Sequence, residues 1–350
     1  MVFYIHGSTL EGKMRFLTVE QLALQLEISE QAIYQKIKSD GYGTVDVAYK
    51  TPMLVYQRDD FKQAYVISSL NMKGGCGKTT ITTHLASLYS KLGFKVLLID
   101  TDHQNQCHFF FSEPENGFEF DLVHALSGEK NISDCVKTVK TSTSSIDIIT
   151  SSYQVSIFSA GFSKKDKIAS VIEEIKKDYH FIFLDTSPAF DIINQNVAIA
   201  SDYILIPVTP TKLNVEGMSH NFDALQNVAK IPMDRIIGIV PSIVDLNAAQ
   251  QREYMTRFLK LYGNYDLLED DEIRSEDRPG KKEEKAIKKT FQAILNDVNY
   301  NGILCGSFIP QSPLFASAAD FGSTVLDSQE KSNASQSIKR LGWELLRRIK

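Results

Sequence analysis

One stretch constrains this chain more than any other: an apolar, β-branched run, AYVISSLNM (64–72), that flows directly into KGGCGKTT (73–80) and then into a helical pattern. Strand, glycine-rich loop and helix in that order make a cradle for phosphate. Gly74, Gly75 and Gly77 keep side chains away, so main-chain N–H groups can converge on an anion around Cys76. The helix starting near Thr79 adds the partial positive charge of its N-terminus. Lys78 would reach the β- and γ-phosphates, the Thr79 hydroxyl would hold Mg²⁺, and Thr80 would reach the α-phosphate. The strict pattern G-x-x-x-x-G-K-[ST] is not met, because Met72 stands where its first glycine belongs and Lys73 follows.

A loop of this kind needs a sheet behind it, and the downstream sequence supplies one. KVLLID (95–100), SIDIIT (145–150), FIFLD (181–185), YILIPV (203–208), RIIGIV (235–240) and ILCGSFI (303–309) read as buried strands, most of them separated by helical stretches. That alternation predicts an α/β fold with a doubly wound, mostly parallel sheet. The 350 residues leave room for a small unit ahead of it, giving expected domains at 1–63 and 64–350. The segment 263–289 breaks the pattern, acidic first and basic after Pro279-Gly280. It reads either as a solvated insertion or as an arm for DNA or a partner.

No apolar run approaches the roughly 18 residues of a membrane span. The opening MVFYIHGSTLEGKMRF lacks a basic stretch ahead of an apolar core, so no signal peptide and a cytoplasmic address are expected. Cys76, Cys107, Cys135 and Cys305 are scattered and read as reduced thiols. A net charge of −5 does not advertise nucleic-acid binding by the whole molecule, although local basic patches could still bind.

The arrangement K-G-G-x-G-K-T-T resembles the deviant Walker A loop of the ParA/MinD family. The resemblance implies that Lys73 crosses a dimer interface and touches the nucleotide held by the partner, coupling ATP to homodimerisation by the logic of an arginine finger. KVLLIDTDHQNQ (95–106) is similar to the family's D-x-D-x-Q motif, which would make Asp102 the residue that positions the attacking water and Asp100 a support of the magnesium shell. FIFLDTSP (181–188) resembles a Walker B strand, with Asp185 binding Mg²⁺ through water. IPVTPTKLNVEG (206–217) looks like the family's lead into the dimer-side helix. The segment 306–327 looks like its last strand and adenine-side loop, with Pro310 and Gln311 near the base.

Ahead of the loop, FLTVEQLALQLEISEQAIYQKIKSDG (16–41) resembles a helix-turn-helix of the MerR or excisionase type. Gln31, Tyr34, Gln35 and Lys38 would then face base edges and phosphates, and residues 45–61 would form a two-stranded wing. A helical packing domain without DNA contact is the other reading. At the far end, SIKRLGWELLRRIK (337–350) puts apolar residues on one face, with Lys339, Arg340, Arg347 and Arg348 among its cations. That helix could dock on the domain, offer a surface to non-specific DNA, or lie on a membrane.

The resemblance as a whole implies an ATP- and Mg²⁺-dependent ATPase of DNA partition. It would be nucleoid-associated, released from DNA by a centromere-bound ParB-like adaptor, and able to repress its own operon. Three alternatives stand beside it: a MinD-like membrane-positioning ATPase, a transcriptional regulator with nucleotide-controlled dimerisation, and a ligase of the dethiobiotin synthetase type.

Overall fold

The computed structural model describes residues 64–349 apart from 113–116, 142–143, 160, 162–165, 264–278, 298–299 and 301; before them it describes Gln31 and two short strands. Those two, β1 (Tyr42–Val45) and β2 (Leu54–Gln57), pair antiparallel. Of the segment 45–61, expected as a two-stranded wing, the described residues are Val45, the last of β1, and β2; the rest of it lies outside the described residues. The helices expected at 16–41 lie outside the described residues, except that Gln31 is helical and exposed.

Seven further strands build one sheet: β3 (Tyr65–Ser69), β4 (Val96–Asp100), β5 (Lys137–Lys140), β6 (Ser145–Ile149), β7 (Phe181–Asp185), β8 (Tyr203–Val208) and β9 (Ile236–Pro241). They lie in the order β5-β6-β4-β7-β3-β8-β9, parallel throughout except for β5, which runs antiparallel to β6. Strands β4 and β7 are buried at every position, as strands covered on both faces must be. β5, sequence KTVK, turns only Val139 fully inward and closes the sheet with exposed lysine at its end.

Among the described residues the five longest helices are α1 (Lys78–Lys91), α2 (Ile192–Ala200), α3 (Ala249–Phe258), α4 (Pro279–Asn296) and α5 (Asn333–Arg348). Helices α1 and α5 pack on one face of the sheet, where Ile81, Leu85, Phe181, Phe183, Leu341 and Leu345 share a core. The other face is covered by α2, α3, α4 and shorter helices through Val197, Met255, Phe258, Ile287 and Phe291. At Gly342 the α1 and α5 backbones come close: a Cβ there would lie 2.4 Å from Leu88 Cδ2, and the Tyr89 hydroxyl donates to the Gly342 carbonyl at 3.0 Å.

Two expectations are corrected here. The stretch 303–309 does not form a strand; it meets β9 through an isolated bridge from Leu304 to Ile239 and the Ile309 N–H bond to the Pro241 carbonyl, and Pro310 bridges Val244 just beyond. The reason is local, because the Gly306 and Ser307 N–H groups are taken by the Glu344 carboxylate at 2.7 and 2.9 Å. The basic half of the charged segment, residues 279–289, is not a solvated insertion but the first part of α4. Its Ala286, Ile287, Thr290, Phe291, Ile294 and Leu295 are buried at helical spacing. Residues 264–278 lie outside the described ones.

Candidate nucleotide site

The loop 72–77 leaves β3 at its C-terminal end and enters α1, at the edge where open α/β sheets take ligands. Gly75 and Gly77 have φ of 67° and 85°, the left-handed region in which a side chain is strained, and space around the Gly75 Cα is open. Two asparagines and a serine hold the loop in shape. Asn71 accepts from the Lys73 N–H at 2.9 Å and donates to the Pro207 carbonyl at 2.7 Å. Asn221 accepts from the Met72 N–H at 2.9 Å, and Ser242, just past β9, donates to the Cys76 carbonyl at 2.6 Å. Sequence reading missed these three. Asn71 beside the loop was the one visible signal; Asn221 and Ser242 reach it only through the fold.

The two lysines of the loop part company. Lys78 is buried and its Nζ donates to the Lys73 carbonyl at 3.0 Å, which leaves two of its three N–H groups for another acceptor. Lys73 is exposed, and its Cε lies 3.9 Å from the position a Cβ on Gly217 would occupy. The side chain therefore runs beside the 206–217 segment, on the outside of the loop.

Below the loop the carboxylates gather. The register sets Asp100 and Asp185 side by side at the ends of β4 and β7. The Thr79 hydroxyl donates to Asp185 Oδ2 at 2.7 Å, and the Cys107 thiol approaches the same oxygen at 3.4 Å. Asp185 Oδ1 is buried and has no hydrogen-bond partner. Burial, and next the charge of Asp185, holds the Asp100 carboxyl well above the usual carboxylate range. Burial raises Asp185 as well, against the opposing hydrogen bonds from Thr79 and Cys107. A divalent cation relieves such a pair, and the donor set of carboxylates with a threonine hydroxyl suits Mg²⁺. Asp100 itself is largely spent on structure, since its two oxygens accept the N–H groups of Asp102 and Cys107 at 2.9 and 3.0 Å. That turn brings Asp102 round to the site, where its Oδ1 accepts the Gln104 N–H at 3.0 Å. Asp102 is buried, and its charge adds to the upward shift on Asp185.

Pro310 and Gln311 lie beside the chain that leaves β9, Gln311 donating its N–H to the Val244 carbonyl at 2.9 Å. His84, one turn along α1 from Thr80, accepts the Val325 N–H at Nε2 (3.1 Å) and donates from Nδ1 to the Thr80 carbonyl (2.7 Å). Full burial pushes its pKa down to about 4, so the ring is neutral.

Among the described residues, three of the four cations expected on the last helix are engaged with neighbouring groups. Arg348 donates to the carbonyls of Ile237, Gly302 and Leu304 and pairs with the buried Glu344 at 2.7 Å. Arg347 donates to the Leu295 carbonyl at 2.7 Å and covers the Trp343 ring at 3.8 Å. Lys339 pairs with Glu330 at 3.1 Å, and Arg340 points into a cavity. The helix docks because Ile338, Leu341, Leu345 and Leu346 are fully buried, and Arg347 and Arg348 are turned inward to satisfy carbonyls beyond it. No helix of the described residues is long and apolar enough to cross a membrane. All four cysteines are free and buried.

Comparison with known proteins gives a consistent picture. A family model described as an AAA domain matches residues 64–237. The chromosome partitioning protein ParA of Caulobacter vibrioides is 23% identical over 291 residues, spanning 81% of this chain and 94% of that protein. The sporulation initiation inhibitor protein Soj of Bacillus subtilis is 26% identical over 190 residues, 51% of this chain and 73% of that protein. Among solved structures, the Cyanothece McdA–ATP complex superposes with a TM-score of 0.55 at 18% identity, covering 81% of this chain and 96% of that one. Cobyrinic acid a,c-diamide synthase from Mycobacterium smegmatis, with bound ATP analogue and magnesium, gives 0.51 at 17% identity over 63% and 92%. At these identities the two structures establish the fold alone.

Proposed function

We propose, from the premise that the described α/β domain is a P-loop ATPase of the ParA/MinD superfamily, that this chain is a DNA-partition ATPase whose ATP-bound form is a homodimer. ATP and Mg²⁺ are its cofactors. The observation that carries the reading is the division of labour between two lysines in one loop. Lys78 faces into the cradle, whereas Lys73 stands outside it, free to serve a nucleotide other than its own.

In this reading the N–H groups of 74–79 and the Lys78 ammonium hold the phosphates. Thr79 and Asp185 hold Mg²⁺, which when bound neutralises charge on the β- and γ-phosphates. Asp100 keeps the turn that presents Asp102, and Asp102 orients the attacking water. Lys73 from each protomer supplies a cation to its mate's triphosphate, so the closed dimer and the ATP state stabilise each other. Pro310 and Gln311 flank the base. The unit at 1–63 is proposed to bind operator DNA through Gln31, Tyr34, Gln35 and Lys38, and a ParB-like adaptor to stimulate hydrolysis on the nucleoid.

The test is sizing of the purified protein with ATP, with ADP and without nucleotide, each with and without duplex DNA. A dimer that forms with ATP and is lost with ADP is the expected result. The same elution in all three states would remove the proposal. A MinD-like membrane reading draws less support, because the helix that would have to lie on lipid has its apolar face in the core.

A further inference from the structure

A single residue clips together the two carboxylates at the ends of β4 and β7. The turn after β4 doubles back, with the Asn105 N–H on the Asp102 carbonyl at 3.0 Å, and a short 3₁₀ turn (Cys107–Phe110) follows it. At its start the Cys107 N–H donates to Asp100 Oδ2 at 3.0 Å, and the Cys107 thiol donates to Asp185 Oδ2 at 3.4 Å. Cys107 is fully buried. Cys76 and Cys135, by contrast, give their thiols to carbonyls three and four residues earlier in the chain, at 3.4 and 3.7 Å. Cys107 reaches a carboxylate 78 residues away, so its placement is a product of the fold.

What the thiol does there follows from the other groups on Asp185. Thr101 fixes the main chain, its N–H and its hydroxyl both donating to the Asp185 carbonyl. Thr79 and Cys107 fix the side chain, because both donate to Oδ2. Each carboxylate oxygen offers about two lone pairs, so these two donors fill Oδ2. Oδ1, buried and without a partner, is left as the oxygen for a further group. In the proposed function that group is Mg²⁺ or a water it carries. The Thr79 hydroxyl then has two duties, its proton on Oδ2 and a lone pair on the ion. Cys107 supplies a donor that the ion does not draw on, since a neutral thiol is a poor partner for a hard cation.

We infer that Cys107 is a positioning residue for the Mg²⁺ site: its thiol holds the Asp185 carboxylate in the orientation that offers Oδ1 to the ion, and its N–H holds Asp100 alongside. Removing a group that orients a metal-binding side chain in this way typically lowers metal affinity about 10–100-fold. The inference rests on the reading of Thr79 and Asp185 as the Mg²⁺ site.

Binding of a fluorescent ADP analogue to the full-length protein, measured in EDTA and then as Mg²⁺ is added, tests it. In the parent protein Mg²⁺ is expected to tighten binding. Cys107→Ala should raise the Mg²⁺ concentration that gives half of this effect by about tenfold. Its affinity in EDTA should be unchanged, which also shows that the loop is folded. Cys107→Ser loses nearly the same volume but keeps a donor, so its midpoint should return toward the parent's. Equal midpoints in the two variants would overturn the inference, because volume alone would then matter. A parental midpoint in Cys107→Ala would overturn it as well. So would a loss in EDTA as large as the loss in Mg²⁺, because Cys107 would then shape the phosphate loop and not the metal site. Each of these results leaves the parent's Mg²⁺ dependence standing. A parent protein whose binding ignores Mg²⁺ would instead remove the Mg²⁺ site itself, and the inference with it.

Discussion

At the residue scale the proposed function gives the two loop lysines separate roles, one in binding and one in assembly. Lys78→Ala removes the buried ammonium that faces the cradle, and nucleotide affinity is expected to fall by at least two orders of magnitude. Lys73→Ala removes an exposed cation on the outside of the loop; nucleotide binding should persist while ATP-dependent dimerisation and stimulated hydrolysis are lost. Equilibrium binding of a fluorescent ATP analogue and sizing of both variants decide between these roles, and identical behaviour of the two variants would defeat the assignment. His84 yields a prediction of a different kind. Its folded pKa of about 4 lies below its unfolded value of 6.5. The unfolded state therefore binds the extra proton between those pH values, so His84's contribution is intact above 6.5 and lost as pH falls toward 4. The full span is worth on the order of 3 kcal/mol. Asp100 and Asp185, whose pKa values are raised, work in the opposite direction, so the comparison must be with a variant. In His84→Asn the difference in stability from the parent should shrink as pH drops from 7 to 4.5 in urea titrations; a difference independent of pH would show that His84 does not stay neutral.

At the scale of elements the packing of α5 makes the next prediction. Glu344 is buried, binds Arg348 at 2.7 Å and caps the Gly306 and Ser307 N–H groups. Glu344→Ala leaves the Arg348 charge without a counter-charge and two N–H donors without an acceptor, and should cost about 3–5 kcal/mol by denaturant unfolding. The Glu344–Arg348 double replacement by apolar residues should cost less than the single change, because no charge is left behind. Equal loss in both would mean that the pair matters only for its volume. This element also shows what was legible beforehand. The apolar stripe Ile338, Leu341, Leu345 was plain from spacing, but the direction of its arginines was not, since their partners are carbonyls of residues 237, 302 and 304 that only the fold brings near. Central strands such as FIFLD were readable because burial on both faces leaves an unbroken apolar run. Edge strand β5 escaped notice because KTVK is short and charged. α4 was hidden by its outer charges, although Ala286, Ile287, Thr290, Phe291 and Ile294 keep helical spacing beneath them. In the site, the loop and its carboxylates could be read as local motifs. Asn221 and Ser242 could not, because each supports the loop from more than a hundred residues away.

At the scale of the whole molecule the question is where DNA can be held. The chain carries a net charge of −5, so any affinity for phosphate must come from a local arrangement of cations. Among the described residues of the last helix, Arg347 and Arg348 bond to carbonyls and Lys339 is paired with Glu330. Placing the contact on the front unit instead puts weight on Lys38, in the segment that resembles a recognition helix. Lys38→Ala is then expected to weaken duplex binding by the ATP-bound protein, and to make the slope of log affinity against log salt shallower by about 1, as loss of one phosphate contact requires. Tyr34→Ala, by contrast, is expected on the same proposal to reduce discrimination between operator and random duplex while leaving that slope in place, since the proposed role of Tyr34 is a base contact without charge. Lys339→Ala should change neither quantity. The three slopes, measured by fluorescence anisotropy from 50 to about 200 mM salt, separate the surfaces. A shallower slope in Lys339→Ala together with an unaltered one in Lys38→Ala would move the DNA back onto the ATPase domain, and would require α5's outer surface to bind phosphate with a lysine that the structure shows held by Glu330.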